Sequence, residues 1–198
     1  MSVALAGENH ALADSDPAVL ARIWEPDVHL AIWRRPLACD LDGLCGLDWN
    51  VIDDIDEIVS NMALARDVPE LIEAAGYGDV APALAREVVA MGERLAAILE
   101  CTMLRLRLEV IETDACRKFH ADNVTARLLM PLVGPGTQWL HAGSEGPIES
   151  LRPGEVGLFK GRLWAEEPFI LHRSPPVAAT GETRLLLAMN PCARDEMA

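Results

Sequence analysis

The chain has 198 residues, 51% of them apolar and 24% charged, which describes a core-forming globular protein rather than a disordered tail or a fibre. Its formal net charge of −14 argues against a nucleic-acid surface, unless bases cluster locally. The acid excess lies in the first half, with 19 acids against 6 bases in residues 1–100 and 12 against 11 in residues 101–198, which reads as a solvated helical surface.

The segment Met1–Glu8 lacks the basic n-region and long apolar core of a secretory signal, so a cytoplasmic location is expected. Asp16-Pro17 supplies an N-cap with proline at the first helical position, and Val19, Leu20, Ile23 and Trp24 follow on one face of a helix ending near Glu25-Pro26. Val28–Trp33 is short and rich in strand formers, an outer strand halted by Arg34-Arg35-Pro36. Val51, Ile52, Ile55, Ile58, Val59 and Met62 recur at helical spacing. Asp67 is expected to cap a short helix ending at Gly76, and Leu84, Val88, Met91, Leu95 and Ile98 mark a longer one over 81–100.

At Met103 the period changes from 3.6 to 2, with Leu104, Leu106, Leu108 and Val110 alternating with Arg105, Arg107 and Glu109. Apolar runs separated by Gly and Pro turns then continue over 124–133, 137–140, 156–159, 169–172 and 184–189, an all-β half of roughly six strands, barrel or sandwich. Pro153-Gly154 reads as a tight turn into one of these strands. No linker divides the chain, so residues 1–198 are expected to form one α+β domain, mainly helical over 1–100 and a β-barrel over 101–198. The longest stretch without Asp, Glu, Lys or Arg, Leu128 to Ser144, is too short and too broken by Pro and Gly to cross a membrane, which needs about 20 apolar residues.

Chemistry gathers in the β half. His120-Ala-Asp122 precedes a strand, and in an extended chain residues i and i+2 point to the same side, so imidazole and carboxylate converge. His172 ends a later strand. Two histidines and a carboxylate on a β-barrel are the ligand set of a non-haem Fe(II) centre, leaving coordination positions open. A surface pair bracing a strand start is the plain alternative for His120 and Asp122. Five cysteines, Cys39, Cys45, Cys101, Cys116 and Cys192, show no repeated spacing and read as reduced thiols. A closed zinc site from Cys116, His120, His172 and Cys192 is the main competitor, and it would leave Asp122 without a role. His10 and His29 have no partner near in sequence, and His141 reads as an exposed loop residue. Phe119, Trp139 and Trp164 are candidates to line a pocket or to fill the core.

After His172 come Arg173-Ser-Pro-Pro-Val, a turn through Gly181, and Thr183-Arg184-Leu-Leu-Leu. This run resembles the end of the Fe(II)/2-oxoglutarate-dependent dioxygenase superfamily, where an arginine about one hairpin after the distal metal histidine grips the far carboxylate of 2-oxoglutarate. Arg184 stands in that place. Over residues 103–190, the phrases Lys118–Leu129 and Gly134–Trp139 are also similar to a bacterial family of uncharacterised proteins often encoded near zinc-responsive GTPase metallochaperones.

The resemblance implies a double-stranded β-helix, a jelly-roll or cupin-like barrel, with the helical N-terminal half packed on it. It further implies Fe(II) held by His120, Asp122 and His172, with 2-oxoglutarate as a small-molecule co-substrate for hydroxylating a further substrate. Many superfamily members add a barrel tyrosine, whereas the single Tyr77 lies in the helical half, so Asn123, Arg127, Thr137 or Lys160 would supply that contact. Arg173 joins Thr137, Trp139, Lys160 and Trp164 as a candidate pocket residue. An ordinary salt bridge from Arg184 to Glu155 or Glu109 is its alternative fate. The other functional readings are a zinc-binding or zinc-homeostasis protein using Zn(II) in the same pocket, and a cupin-like module in which Arg173 and Arg184 bind an acid. Neither nucleic acid nor membrane is expected as a partner, and a homodimer is left open.

Overall fold

The computed structural model describes residues 10–114, 116–143 and 146–192, so the reading of Met1–Glu8 lies outside the described residues. In chain order the elements are β1 (Ala11–Asp14), β2 (Leu30–Trp33), β3 (Ile55–Ser60), α1 (Leu64–Ala74), α2 (Ala81–Leu99), β4 (Met103–Ile111), β5 (Ala126–Val133), β6 (Gln138–His141), β7 (Glu149–Ser150), β8 (Val156–Lys160), β9 (Ile170–Arg173) and β10 (Arg184–Pro191). Seven strands form one sheet in the order β1-β2-β8-β5-β10-β4-β3, and three form a second in the order β7-β6-β9. The chain is thus a mixed α+β protein built around a large sheet. No described helix is long and apolar enough to cross a membrane.

Strand periodicity gives the large sheet two different faces. Leu104, Leu106 and Leu108 of β4, Leu128 and Met130 of β5, and Leu185, Leu187 and Met189 of β10 join Leu84, Val88, Met91 and Leu95 of α2 and Leu64 and Ile72 of α1 in one buried cluster. The opposite parity, Leu129, Phe159, Leu186, Ala188, Leu30 and Ile32, meets Ile170 and Leu151 in a second cluster between the two sheets. β10 is therefore buried on both faces, as its unbroken apolar run Leu185–Met189 requires. Gly92 of α2 lets α1 approach, since a Cβ there would stand 3.0 Å from Leu64 Cδ1. α2 stops at Glu100, which takes the left-handed conformation (φ 51°).

Four expectations are corrected. Residues 51–62 hold strand β3, paired antiparallel with β4 from Ile55↔Leu108 to Ser60↔Met103, and not a helix. Residues i and i+4 share a face under both periods, so Val51, Ile55 and Val59 fit either; Met62, three residues after Val59, would share their face only in a helix, and it is 94% exposed. The first helix is a 3-10 helix over Pro17–Trp24, although Asp16 caps it as expected, accepting from the Ala18 N–H. Asp67 lies inside the first turn of α1 rather than at its cap, its N–H bonded to the Ala63 carbonyl. With β1, parallel to β2, the first hundred residues contribute three strands to the large sheet instead of one.

The Pro153-Gly154 turn is required sterically. Gly154 has φ 90°, and a Cβ would fall 2.1 Å from the Leu37 nitrogen. Gly154→Ala is expected to cost about 2–4 kcal/mol, read as a lower urea midpoint at unchanged slope.

His10 and His29 are not idle. Both are buried; the His10 ring stacks on Phe169 with centroids 4.1 Å apart, and its Nδ1 donates to the Asp27 carbonyl. His29 Nδ1 accepts the Phe169 N–H at 3.2 Å, so the proton of the neutral ring sits on Nε2. Burial, then the nearby Lys160 ammonium and His10, push the His29 pKa down to about 4. Between pH 6.5 and about 4 the unfolded chain therefore binds a proton that the native chain excludes, so stability falls as pH falls through that window, by about 3 kcal/mol in all. His29→Gln should flatten the acid limb of stability against pH in urea titrations at pH 7, 6 and 5. Equal limbs in both proteins would contradict the assignment.

Candidate metal centre

His120 and His172 are brought face to face by an isolated antiparallel bridge: each backbone N–H donates to the other's carbonyl, at 3.0 and 2.9 Å. Asp122 follows on the same side two residues later. Its own carbonyl accepts the Arg162 N–H, in a turn where a Cβ on Gly161 would stand 1.9 Å from the Val124 oxygen, so only glycine lets the 161–162 turn close on this segment. One ligand atom from each of His120, Asp122 and His172 lies within 4.8 Å of the others. His172 Nε2 is 3.1 Å from Asp122 Oδ2, and His120 Nε2 is 3.7 Å from Oδ1.

The donor chemistry fits a divalent ion. His120 Nδ1–H donates to the Lys118 carbonyl at 2.9 Å, which leaves the Nε2 lone pair facing the cluster. Asp122 Oδ2 is buried and makes no hydrogen bond of its own. Burial by itself would raise the Asp122 pKa, but its contacts with His120 and His172 and the charge of Arg127 outweigh that and hold it well below the usual carboxylate range, so it is an anion at neutral pH. His172 is packed under Phe159, ring centroids 4.8 Å apart, whereas the His120 side chain is 37% exposed, which leaves the cluster open on that side.

The cluster forms one wall of a cavity of about 160 Å³. Arg184 forms another. It is 1% exposed, yet its Nε donates to the Pro135 carbonyl, Nη1 to the Ser174 hydroxyl, and Nη2 has no partner. Burial pushes its pKa down to about 10, which keeps it charged at pH 7. Thr137, 2% exposed, also lines the cavity with an unpartnered hydroxyl. Buried polar groups left unpaired are costly, and two of them lining the same cavity describe a receptor for an oxyanion. Gly134 (φ 74°) lets the 134–137 loop lie against Arg184, since a Cβ there would stand 3.3 Å from Arg184 Cγ.

The other expected pocket residues separate. Arg127 lines the cavity but serves Asp122: Nη1 donates to Oδ1 at 3.0 Å and Nη2 to Asn190 at 3.2 Å, so it orients the carboxylate rather than presenting a free cation. Arg173 lines the rim, tied to Gln138 Oε1 and stacked over Phe119. Asn123, Trp139, Lys160 and Trp164 are not among the lining residues. Lys160 points away to the Glu25 and Pro26 carbonyls, and Trp164 packs edge-on to Trp24. Trp139 pairs with His172 across β6 and β9, and His141 lies on β6 beside Trp139 rather than in a loop.

The closed zinc site does not assemble. Cys116 lines the cavity, but Cys192 lies beyond the far end of β10 from Arg184, its N–H bonded to Met103. Arg184 makes no ion pair with Glu155 or Glu109 within hydrogen-bonding distance among the described residues; Glu109 is only a neighbouring charge. Ser174, Arg107 and Glu109 are polar lining residues that the sequence reading did not assign to a pocket. The signal was present for two of them, since Arg107 and Glu109 share the strand face opposite the leucines of β4.

Comparison with known proteins agrees with this fold. The sequence profile of a family described as "Protein of unknown function (DUF1826)" matches residues 14–190. No curated protein matches the sequence. Among solved structures, a prolyl-4-hydroxylase from Pseudomonas putida superposes with a TM-score of 0.54 at 16% identity, covering 89% of this chain and 91% of that one. A 2OG-Fe(II) oxygenase family oxidoreductase from Burkholderia pseudomallei gives 0.47 at 10% identity, covering 91% and 94%. A dioxygenase for auxin oxidation from Arabidopsis thaliana, in complex with 2-oxoglutarate, gives 0.43 at 12% identity, covering 79% and 65%.

Proposed function

The chain belongs to the DUF1826 family, and from that premise we propose that it is an Fe(II)- and 2-oxoglutarate-dependent oxygenase acting on a small substrate. The observation that carries the reading is a single cavity with a two-histidine, one-carboxylate cluster on one wall and a fully buried, incompletely paired Arg184 on another. A fold shared with a prolyl-4-hydroxylase supports reading the two sheets as a double-stranded β-helix, with the N-terminal half supporting it in one domain.

In this reading His120, Asp122 and His172 are the residues that would hold the iron. Bound there, iron and 2-oxoglutarate would supply the oxidising chemistry, with 2-oxoglutarate converted to succinate and carbon dioxide while one oxygen atom passes to the substrate. The chain's own residues do the rest. Lys118 keeps the His120 tautomer, and Arg127 holds the carboxylate in place. Arg184, steadied by Pro135 and Ser174, grips the far carboxylate of the co-substrate through Nη2, with Thr137 donating a second hydrogen bond. Leu129, Leu186 and Ile111 line the walls and reduce the water in the cavity.

The test is anaerobic addition of Fe(II) and then 2-oxoglutarate, read as a weak visible charge-transfer band, followed by succinate release on admitting air. A protein that takes up Fe(II) but shows neither band nor 2-oxoglutarate-dependent quenching would defeat the reading.

A further inference from the structure

Four arginines line the cavity, Arg107, Arg127, Arg173 and Arg184, against two carboxylates, Glu109 and Asp122. Arg127 and Asp122 neutralise each other at the metal cluster, and Arg173 is tied to Gln138. Arg184 faces the co-substrate in the proposed reaction. Arg107 and Glu109 are left over. They stand two residues apart on β4, on the parity that faces the second sheet, opposite Ala188 and Leu186 of β10. Ala188, the β10 partner of Arg107, carries only a methyl group, and both residues line the cavity.

Arg107 Nη2 donates to Glu109 Oε1 at 2.5 Å, and their side chains are 32% and 25% exposed. Neither group is used by the metal cluster or by the Arg184 receptor. Arg107 Nε is buried without a hydrogen bond; it also stands 3.6 Å from Asp56 Oδ2, a carboxylate whose two oxygens are already held by Arg105. A neutral pair offers no net attraction to a simple anion or cation. It offers two opposite charges side by side, each with unused hydrogen-bonding capacity, and partly exposed pairs of this kind hold together weakly enough to be opened by a competing ligand.

We propose that Arg107 and Glu109 form the recognition site for the primary substrate, a small zwitterion of the free α-amino-acid class, its carboxylate received by Arg107 and its ammonium by Glu109. The inference rests on the oxygenase reading and adds the substrate class to it. Arg107, Glu109 and the three cluster residues all line the same cavity, so a substrate held by the pair lies in the cavity that contains the metal cluster.

The experiment uses full-length protein loaded with redox-inert Mn(II) and 2-oxoglutarate, both retained as measured by elemental analysis and calorimetry. The twenty free L-amino acids are then screened by calorimetry, and each binder is compared with its N-acetyl and carboxamide derivatives. At least one free amino acid should bind, each capped form should bind roughly tenfold or more weakly, and Glu109→Gln and Arg107→Gln should each weaken the free form by a similar factor with Mn(II) content unchanged. Arg107→Lys, which keeps the charge, should recover part of the affinity and guards against a folding defect in the glutamine variant. Wild type that holds Mn(II) and 2-oxoglutarate but binds no amino acid, or binds one equally well when capped, overturns the substrate class alone. Wild type that fails to hold 2-oxoglutarate overturns the oxygenase reading and this inference with it.

Discussion

Arg184→Ala should lower the affinity for 2-oxoglutarate by on the order of a hundredfold while leaving metal content intact. The guanidinium is 1% exposed and two of its nitrogens are already committed, Nε to Pro135 and Nη1 to Ser174, so it is held rigidly and pays little further entropy on gripping a carboxylate. Removing one partner of a buried, charge-assisted pair costs about 2–5 kcal/mol, and a hundredfold corresponds to about 3. The three cluster residues lie on other segments and should still take up one equivalent of Mn(II). Arg184→Lys should recover only part of the affinity, because an ammonium cannot bond Pro135, Ser174 and a ligand at once in a plane. Arg173→Ala is the control: its guanidinium is engaged with Gln138 and Phe119, so its loss should change 2-oxoglutarate affinity by less than about fivefold. Calorimetric titration of the Mn(II) forms settles the point. A reversed ranking, with Arg173→Ala the damaging change, would move the anchor to Arg173.

His172→Ala should abolish stoichiometric metal binding and, with it, the thermal stabilisation that metal confers. A ligand present at a thousandfold its dissociation constant stabilises the native state by about 4 kcal/mol. In a chain of this length that is roughly 8–16 °C in Tm, at about 2–4 °C per kcal/mol. Wild type should show this rise with Mn(II) or Zn(II), and His172→Ala and Asp122→Asn should show almost none. Arg127→Met should be intermediate, losing about ten- to a hundredfold in metal affinity, the usual cost of removing a group that orients a ligand from behind. An unshifted Tm in wild type at saturating metal would show that the cluster is a hydrogen-bonded brace and not a metal centre. An Arg127→Met protein with unaltered affinity would show that burial alone orients Asp122.

Several features of this molecule were legible in one dimension because they depend on spacing along a single strand. The change of period at Met103 marks β4, and the alternation that follows places Leu104, Leu106 and Leu108 in the core. His120 and Asp122 share a side because they are two residues apart in extended chain. Five of the six strands after residue 124 were bounded to within a few residues, since Gly and Pro separate the apolar runs; the two-residue β7, Glu149–Ser150, carries no apolar run and was not read.

What the tertiary structure alone decided concerns partners distant in sequence. β3 is a strand because β4 presents it with unpaired backbone groups; its apolar residues at i and i+4 suit either period, so local pattern could not choose. The bridge that sets His172 opposite His120 spans 52 residues, and no spacing rule predicts it. Arg127 stands five residues from Asp122 and was readable as a ligand-binding cation, but the chain turns so that it faces the carboxylate instead. Burial of Arg184 is likewise collective: Pro135, Ser174 and Gly134 come from loops that converge only when the two sheets close on each other. Local sequence determined which residues carry charge, alternation and turn geometry. Which charges are neutralised, and which are left facing a cavity, was determined by long-range packing, because pairing depends on three-dimensional neighbours that a sequence position does not encode.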